Sequence, residues 1–150
     1  SWLYSPEGRS FIDCFHSCFV LKNLIKTARI APLDGCDKVV QSGYQYLKEH
    51  LLDEKRGLCR RFSLKTMPGI VKYDLYDNAE MLNVAILMDD RDMVTKLSDS
   101  IEQRFRRGPH VFSQIDCLGI RRNRNMLRWA VMPYICAISA KLGCKDAKIK

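Results

Sequence analysis

The chain contains no apolar run of the roughly 18 residues that a membrane-spanning helix needs. Its greasiest stretch, residues 11–28, is broken by Lys22 and Lys26, so no membrane span is expected. The opening segment, SWLYSPEGRS, has neither a basic start nor an apolar centre and does not read as a secretory leader. It also lacks an initiator Met, and the expectation is that the sequence begins inside a longer protein. A phosphate-cradling glycine loop, a dinucleotide fingerprint, a Gly-x-Ser-x-Gly elbow and a His-Glu-x-x-His helix are all missing. With them goes the motif basis for P-loop, nicotinamide, serine-hydrolase and zinc-peptidase chemistry.

Cysteine is present but without pattern. The 7 cysteines (Cys14, Cys18, Cys36, Cys59, Cys117, Cys136, Cys144) are odd in number and include no Cys-x-x-Cys pair. They read as buried thiols of a protein in the reducing cytoplasm. Cys14, His16 and Cys18 would need a fourth zinc ligand that the neighbouring sequence does not offer. No metal and no cofactor is expected.

Hydrophobic residues make up 47% of the 150, enough for one globular core, and a single domain over residues 1–150 is expected. The net charge of +8 favours anionic partners. Arg104, Arg106, Arg107, Arg121, Arg122, Arg124 and Arg128 crowd around one loop. Guanidinium forks suit carboxylate and phosphate oxygens, although a solvated basic surface has the same appearance.

Five helical segments can be read. Those at residues 11–28, 73–88 and 125–142 are apolar on nearly every side, as helices surrounded by other helices are; Gly143 reads as the stop of the last. Those at residues 37–53 and 92–105 are one-sided, with Val40, Tyr44, Leu47 and Leu51 on one stripe and Val94, Leu97, Ile101 and Phe105 on the other. Asp90 or Asp92 reads as the cap of the last of these. Buried and covering helices thus alternate, as in stacked helical hairpins. The expected class is all-α, with hairpins forming part of an (α/α) toroid or, alternatively, an open solenoid, and with long loops at residues 57–72 and 108–124. Links of that length are usually functional.

Three constellations carry chemistry. Asp13, His16 and Ser17 are spaced to share one helical face among phenylalanines 11, 15 and 19. An Asp beside a His orients the imidazole and suits it to acid or base work; the alternative is that both simply bond to backbone in the core. Asp74 and Asp77 open the second buried helix with Tyr73 beside them. They are either ordinary first-turn acids favoured by the helix dipole or a paired acid and base acting on a sugar, with Tyr73 stacking on it. Arg128, Trp129 and Tyr134 combine a cation with flat aromatic faces, next to Pro133, which frees the Trp129 carbonyl.

FIDCFHSCFVLKNL resembles the Ile-Asp-x-Phe-His-x-x-Phe-x-Leu helix of bacterial polysaccharide-biosynthesis proteins built as α/α toroids. YDLYDNAEMLNVAILM is similar to their next inner helix, and MLRWAVMPYICAISAKL to their terminal Arg-Trp helix. The resemblance spans roughly residues 2–142. It implies the C-terminal part of such a protein, within a six-hairpin-glycosidase-like group that includes glycosidases, uronide hydrolases, lyases and sugar epimerases. Cys18, Pro133 and Tyr134 depart from the group's pattern.

The expected function is processing or modification of an anionic sugar, with Asp13, His16, Asp74 and Asp77 as acid/base candidates. Tyr73, Arg121, Arg122, Arg128, Trp129 and Tyr134 are the candidates for holding an oligosaccharide or polysaccharide. A non-catalytic glycan-binding or assembly module is the alternative. A helical-repeat nucleic-acid binder is a third, disfavoured because the arginines sit in one loop instead of a repeating stripe; no nucleic-acid partner is expected. Apolar flanks left uncovered would favour a homo-oligomer.

Overall fold

Three of the helices begin at an aspartate, and these starts organise the molecule. The computed structural model describes residues 11–32, 34–64 and 69–146, the side chains of residues 64 and 144–146 excepted; SWLYSPEGRS and the Cys144 side chain lie outside that set. In chain order, β1 (Ile12–Asp13) leads into α1 (Cys14–Ile30) and α2 (Cys36–His50). Four strands follow: β2 (Leu52–Asp53), β3 (Leu58–Cys59), β4 (Phe62–Leu64) and β5 (Val71–Asp74). Next come α3 (Leu75–Leu87), α4 (Arg91–Phe105), β6 (Arg106–Arg107), β7 (His110–Asp116) and β8 (Arg121–Arg124). A π-helical turn (Leu127–Val131) and α5 (Met132–Asp146) complete it.

Asp13, Asp74 and Asp90 are the N-caps of α1, α3 and α4. Each carboxylate takes up backbone N–H groups that a first helical turn leaves without intrahelical partners. Asp90 accepts from Met93 N at 3.0 Å, as the sequence suggests. Its outer oxygen also takes the Tyr44 hydroxyl at 2.9 Å and Lys48 Nζ at 3.0 Å, which ties α2 to the start of α4.

The fold is not all-α. Helix accounts for 61% of the described residues and strand for about 20%, so the expected class is overturned. The strands lie mostly in the two links read as loops, with β1, β2 and the end of β5 at the edges of segments read as helix and β6 just before the second link. β1 pairs with β4, and β2 with β3. β7 lies between β5 and β8 in an antiparallel sheet, with β6 on its first two residues. Along β7 burial alternates: Val111, Ser113 and Ile115 face inward while Phe112 and Gln114 are half-buried. That is the period-two pattern of a strand. Gly57, at φ 64°, makes the turn from β2 to β3, and a Cβ there would collide with the Ser100 hydroxyl.

α3 is the central helix, packed against α1, α4 and α5. Leu75, Met81, Leu82, Val84 and Ala85 are fully buried in it, each leucine contributing about 2 kcal/mol by leaving water. The one-sided readings of α2 and α4 hold: Val40, Tyr44 and Leu47, then Val94, Leu97, Ile101 and Phe105, are all buried. The expectation of three enclosed helices does not. Phe19 and Val20 on α1 are exposed, as are Met132, Ile135 and Leu142 on α5. α5 also runs through Gly143 to Asp146 instead of stopping there, because Gly permits a left-handed stop without imposing one. Among the described residues no helix is long and apolar enough to cross a membrane.

Candidate acid-base cleft

The capped starts of α1 and α3 open on the same hollow, a cleft of about 600 Å³. Asp13, His16, Asp74 and Asp77 all line it. The Asp13 carboxylate accepts the His16 backbone N–H at 2.8 Å, and its two oxygens lie 3.0 and 2.8 Å from His16 Nδ1. A ring nitrogen facing a carboxylate donates, so the neutral imidazole carries its lone pair on Nε2. Ser17, expected on the same face, is buried and does not line the cleft. Asp13 stands outside the helix as its cap, which shifts the acid off the Ser17 face.

Asp74 and Asp77 form the opposite wall. Asp74 accepts from Tyr76 N at 2.9 Å and from Gln114 Nε2 at 3.1 Å, with Arg61 Nη1 3.9 Å away. Burial raises its carboxyl above the ordinary carboxylate range, against the pull of those donors and Arg61. Asp77 has far less support. It is 5% exposed, and its Oδ2 has no hydrogen-bond partner among the described residues. Burial first, then the nearby charges of Asp74 and Asp13, push the Asp77 carboxyl well above the usual carboxylate range, against the pull of Arg61. Two acids in one desolvated place are pushed up unequally: Asp74 is held back by its donors and Arg61, and Asp77, with less support, is the one set to hold its proton.

The remaining walls are aromatic and polar. Phe15 and Tyr76 pack with ring centres 5.0 Å apart, and Tyr76 meets the Trp129 edge at 5.6 Å. The Arg128 guanidinium lies 4.6 Å over the Trp129 ring. Ser113 and Gln114 of β7 and Asn123 of β8 supply neutral polar groups. A second hollow of about 500 Å³ shares Tyr76 and Arg128 with the first and is otherwise mostly apolar.

Four of the residues expected to hold a ligand lie elsewhere. Tyr73 is buried and donates its hydroxyl to Asp53 Oδ2 at 2.7 Å; burial and that bond push the phenol up. Arg122 grips Asp116 Oδ2 through two nitrogens at 3.0 and 2.8 Å. Arg121 donates to the Arg104 carbonyl at 2.6 Å. Tyr134 donates to Glu102, which also pairs with Arg106. The arginines that looked like one cluster are thus spent on several local partners, and of those seven only Arg128 lines the cleft. Ser113, Gln114 and Asn123 went unseen in the sequence because it takes the β5, β7 and β8 pairing to bring them in; Arg61, whose carbonyl accepts the Cys14 N–H, and Tyr76 in the first turn of α3 were missed as well. The Cys14 and Cys18 thiols, 3.8 Å apart, point into the core, away from His16. Hydrogen bonding to Cys18, then burial, push the Cys14 thiol up, and burial does so for Cys18.

No family model and no curated protein matches the chain. The fold is similar to that of D-mannose isomerase. A crystal structure of D-mannose isomerase superposes with a TM-score of 0.55 at 13% sequence identity, over 71% of this chain. This chain covers 30% of the D-mannose isomerase chain. At that identity the likeness is one of fold alone.

Proposed function

We propose that this protein processes or modifies an anionic sugar by proton transfer, in polysaccharide biosynthesis as the helix resemblance implies. The observation that carries the reading is Asp77: a nearly buried acid without a partner at one oxygen, lining the same cleft as an Asp-oriented histidine. His16 is the base. Its Nε2 takes a proton from the hydroxyl-bearing carbon beside a carbonyl while Asp77 gives its proton to the carbonyl oxygen, forming an enediol; His16 then returns its proton to the former carbonyl carbon and Asp77 recovers one from the neighbouring hydroxyl, so the carbonyl has moved by one carbon and both groups are restored. Arg61 and Arg128 hold the anionic group, and Tyr76 and Trp129 take the flat face of the ring. The adjoining hollow leaves room for a second sugar unit.

The test is proton exchange. The protein is incubated in D₂O with a panel of aldoses, uronates and short oligosaccharides, and deuterium incorporation is followed by NMR. Incorporation at a carbon next to a carbonyl or carboxyl, lost in His16→Asn and in Asp77→Asn, is expected. Exchange that persists in both variants would remove the assigned roles.

A second reading, a non-catalytic glycan-binding module, draws on the Arg128 and Trp129 stack alone, since Trp129 is 41% exposed. It predicts sugar binding that needs both residues and no exchange on any sugar.

A further inference from the structure

We infer that the β7–β8 hairpin is the specificity wall of this cleft, with Ser113, Gln114 and Asn123 reading the neutral hydroxyls of the sugar ring; this rests on the sugar-processing reading above. Among the described residues, two buried side-chain atoms lack a hydrogen-bond partner, Asp77 Oδ2 and Ser113 Oγ. Both residues line the same cleft. Buried polar groups are nearly always paired, because an unpaired one keeps its desolvation cost with nothing in return. Two such atoms at one hollow mark the place where a ligand completes the bonding. Asp77 is placed in the proton chemistry; Ser113, 1% exposed at the middle of β7, is not. A serine hydroxyl turns freely about its own bond and both donates and accepts, as a sugar hydroxyl does.

The neighbours of Ser113 extend the wall. Gln114 lies in register with Asp74 on one side and Arg122 on the other. Its Nε2 donates to Asp74 Oδ2 at 3.1 Å, which leaves its Oε1 to accept from Asn123 Nδ2 at 3.0 Å. That chain of amides turns the Asn123 Oδ1 outward as an acceptor. Asn123 holds this place at φ 55°, a left-handed conformation that costs a side chain strain. All three groups are neutral, whereas Arg61 and Arg128 supply the charge elsewhere in the cleft. The wall is matched to hydroxyls and not to a carboxylate or phosphate.

The experiment is calorimetric titration of D-mannose, D-mannuronate and D-glucuronate, and of monodeoxy forms of whichever binds, into the unmodified protein, Ser113→Ala and Asn123→Gly. Thermal midpoints are recorded alongside. Ser113→Ala removes an unpaired buried hydroxyl and Asn123→Gly removes left-handed strain, so both variants keep or raise the midpoint. Each loses about tenfold in affinity for the parent sugar. Each binds the deoxy sugar that lacks its hydroxyl as well as the unmodified protein does. Unmodified protein that binds a sugar while both variants bind it within about twofold overturns the wall and leaves the cleft. Unmodified protein that binds none of the sugars overturns the proposed function, and the wall with it.

Discussion

His16 Nδ1 lies 2.8 Å from a carboxylate oxygen of Asp13, the same side chain that caps the helix on which His16 stands. Cap and orienting partner are therefore one group, and a substitution can separate the two duties. Asn caps a helix about as well as Asp, but its amide is neutral and cannot stabilise an imidazolium. Asp13→Asn is expected to change unfolding free energy by less than about 0.5 kcal/mol while turnover falls about a hundredfold. Denaturant titration beside a rate measurement checks it; a variant that keeps its rate removes Asp13 from the chemistry.

Asn78 is the fastening under the acid pair. It is fully buried in the first turn of α3, accepts the Cys59 N–H at 2.7 Å, and donates to the carbonyls of Cys59 and Asp74 at 3.1 and 2.8 Å. Asn78→Ala leaves these backbone groups unpaired in the core and is expected to cost about 3 kcal/mol, measured by urea unfolding. A loss below about 1 kcal/mol would mean that the strand and helix hold together without it.

Two arginines of similar sequence setting should behave differently. Arg128→Ala removes a cation lining the cleft and is expected to raise KM about tenfold for an anionic sugar. Arg122→Ala breaks the pair with Asp116 and should leave KM unchanged. Tyr73→Phe belongs with Arg122: it costs about 1 kcal/mol of stability through the lost bond to Asp53 and spares the kinetics. Equal KM effects for Arg122→Ala and Arg128→Ala would contradict the separation.

Asp77 leaves a mark on stability against pH. Its folded carboxyl keeps a proton at pH values where the unfolded chain has lost it, so folding takes up a proton and stability falls as pH rises above about 4. Below that both states are protonated and the penalty vanishes. Asp77→Asn removes the penalty, so its thermal midpoint relative to the unmodified protein should rise as pH climbs above about 4 and level off where the folded carboxyl ionises. A difference that is flat with pH would show that Asp77 ionises normally.

The helices were legible because their signals are local. The stripes of α2 and α4 repeat every three or four residues, and Asp90 announces its own helix start. Asp13 with His16, and Asp74 with Asp77, stood out in the sequence as two separate polar groups in apolar helices; that they line one hollow is seen only in the fold. The strands were not legible. β7 carries its alternation over only seven residues, and it is completed only by pairing with β8 and with β5, which lies two helices back in the chain. The contribution of Ser113 and Gln114 depends on that pairing, as does the diversion of Arg122 to Asp116. Tyr73 shows a related effect: strand alternation turns it to Asp53, on the face away from Asp74.

Underneath all of this stands an Asp77 carboxyl raised well above the ordinary range, with Asp74 beside it raised less. The direct measurement is a pH titration of the Asp77 side-chain carboxyl carbon by NMR in aspartate-labelled protein, repeated in Asp74→Asn. The expected midpoint lies well above the ordinary carboxylate range and drops when the Asp74 charge is removed. A midpoint near 4, unmoved by Asp74→Asn, would contradict the proton-donor role of Asp77 and the chemistry built on it.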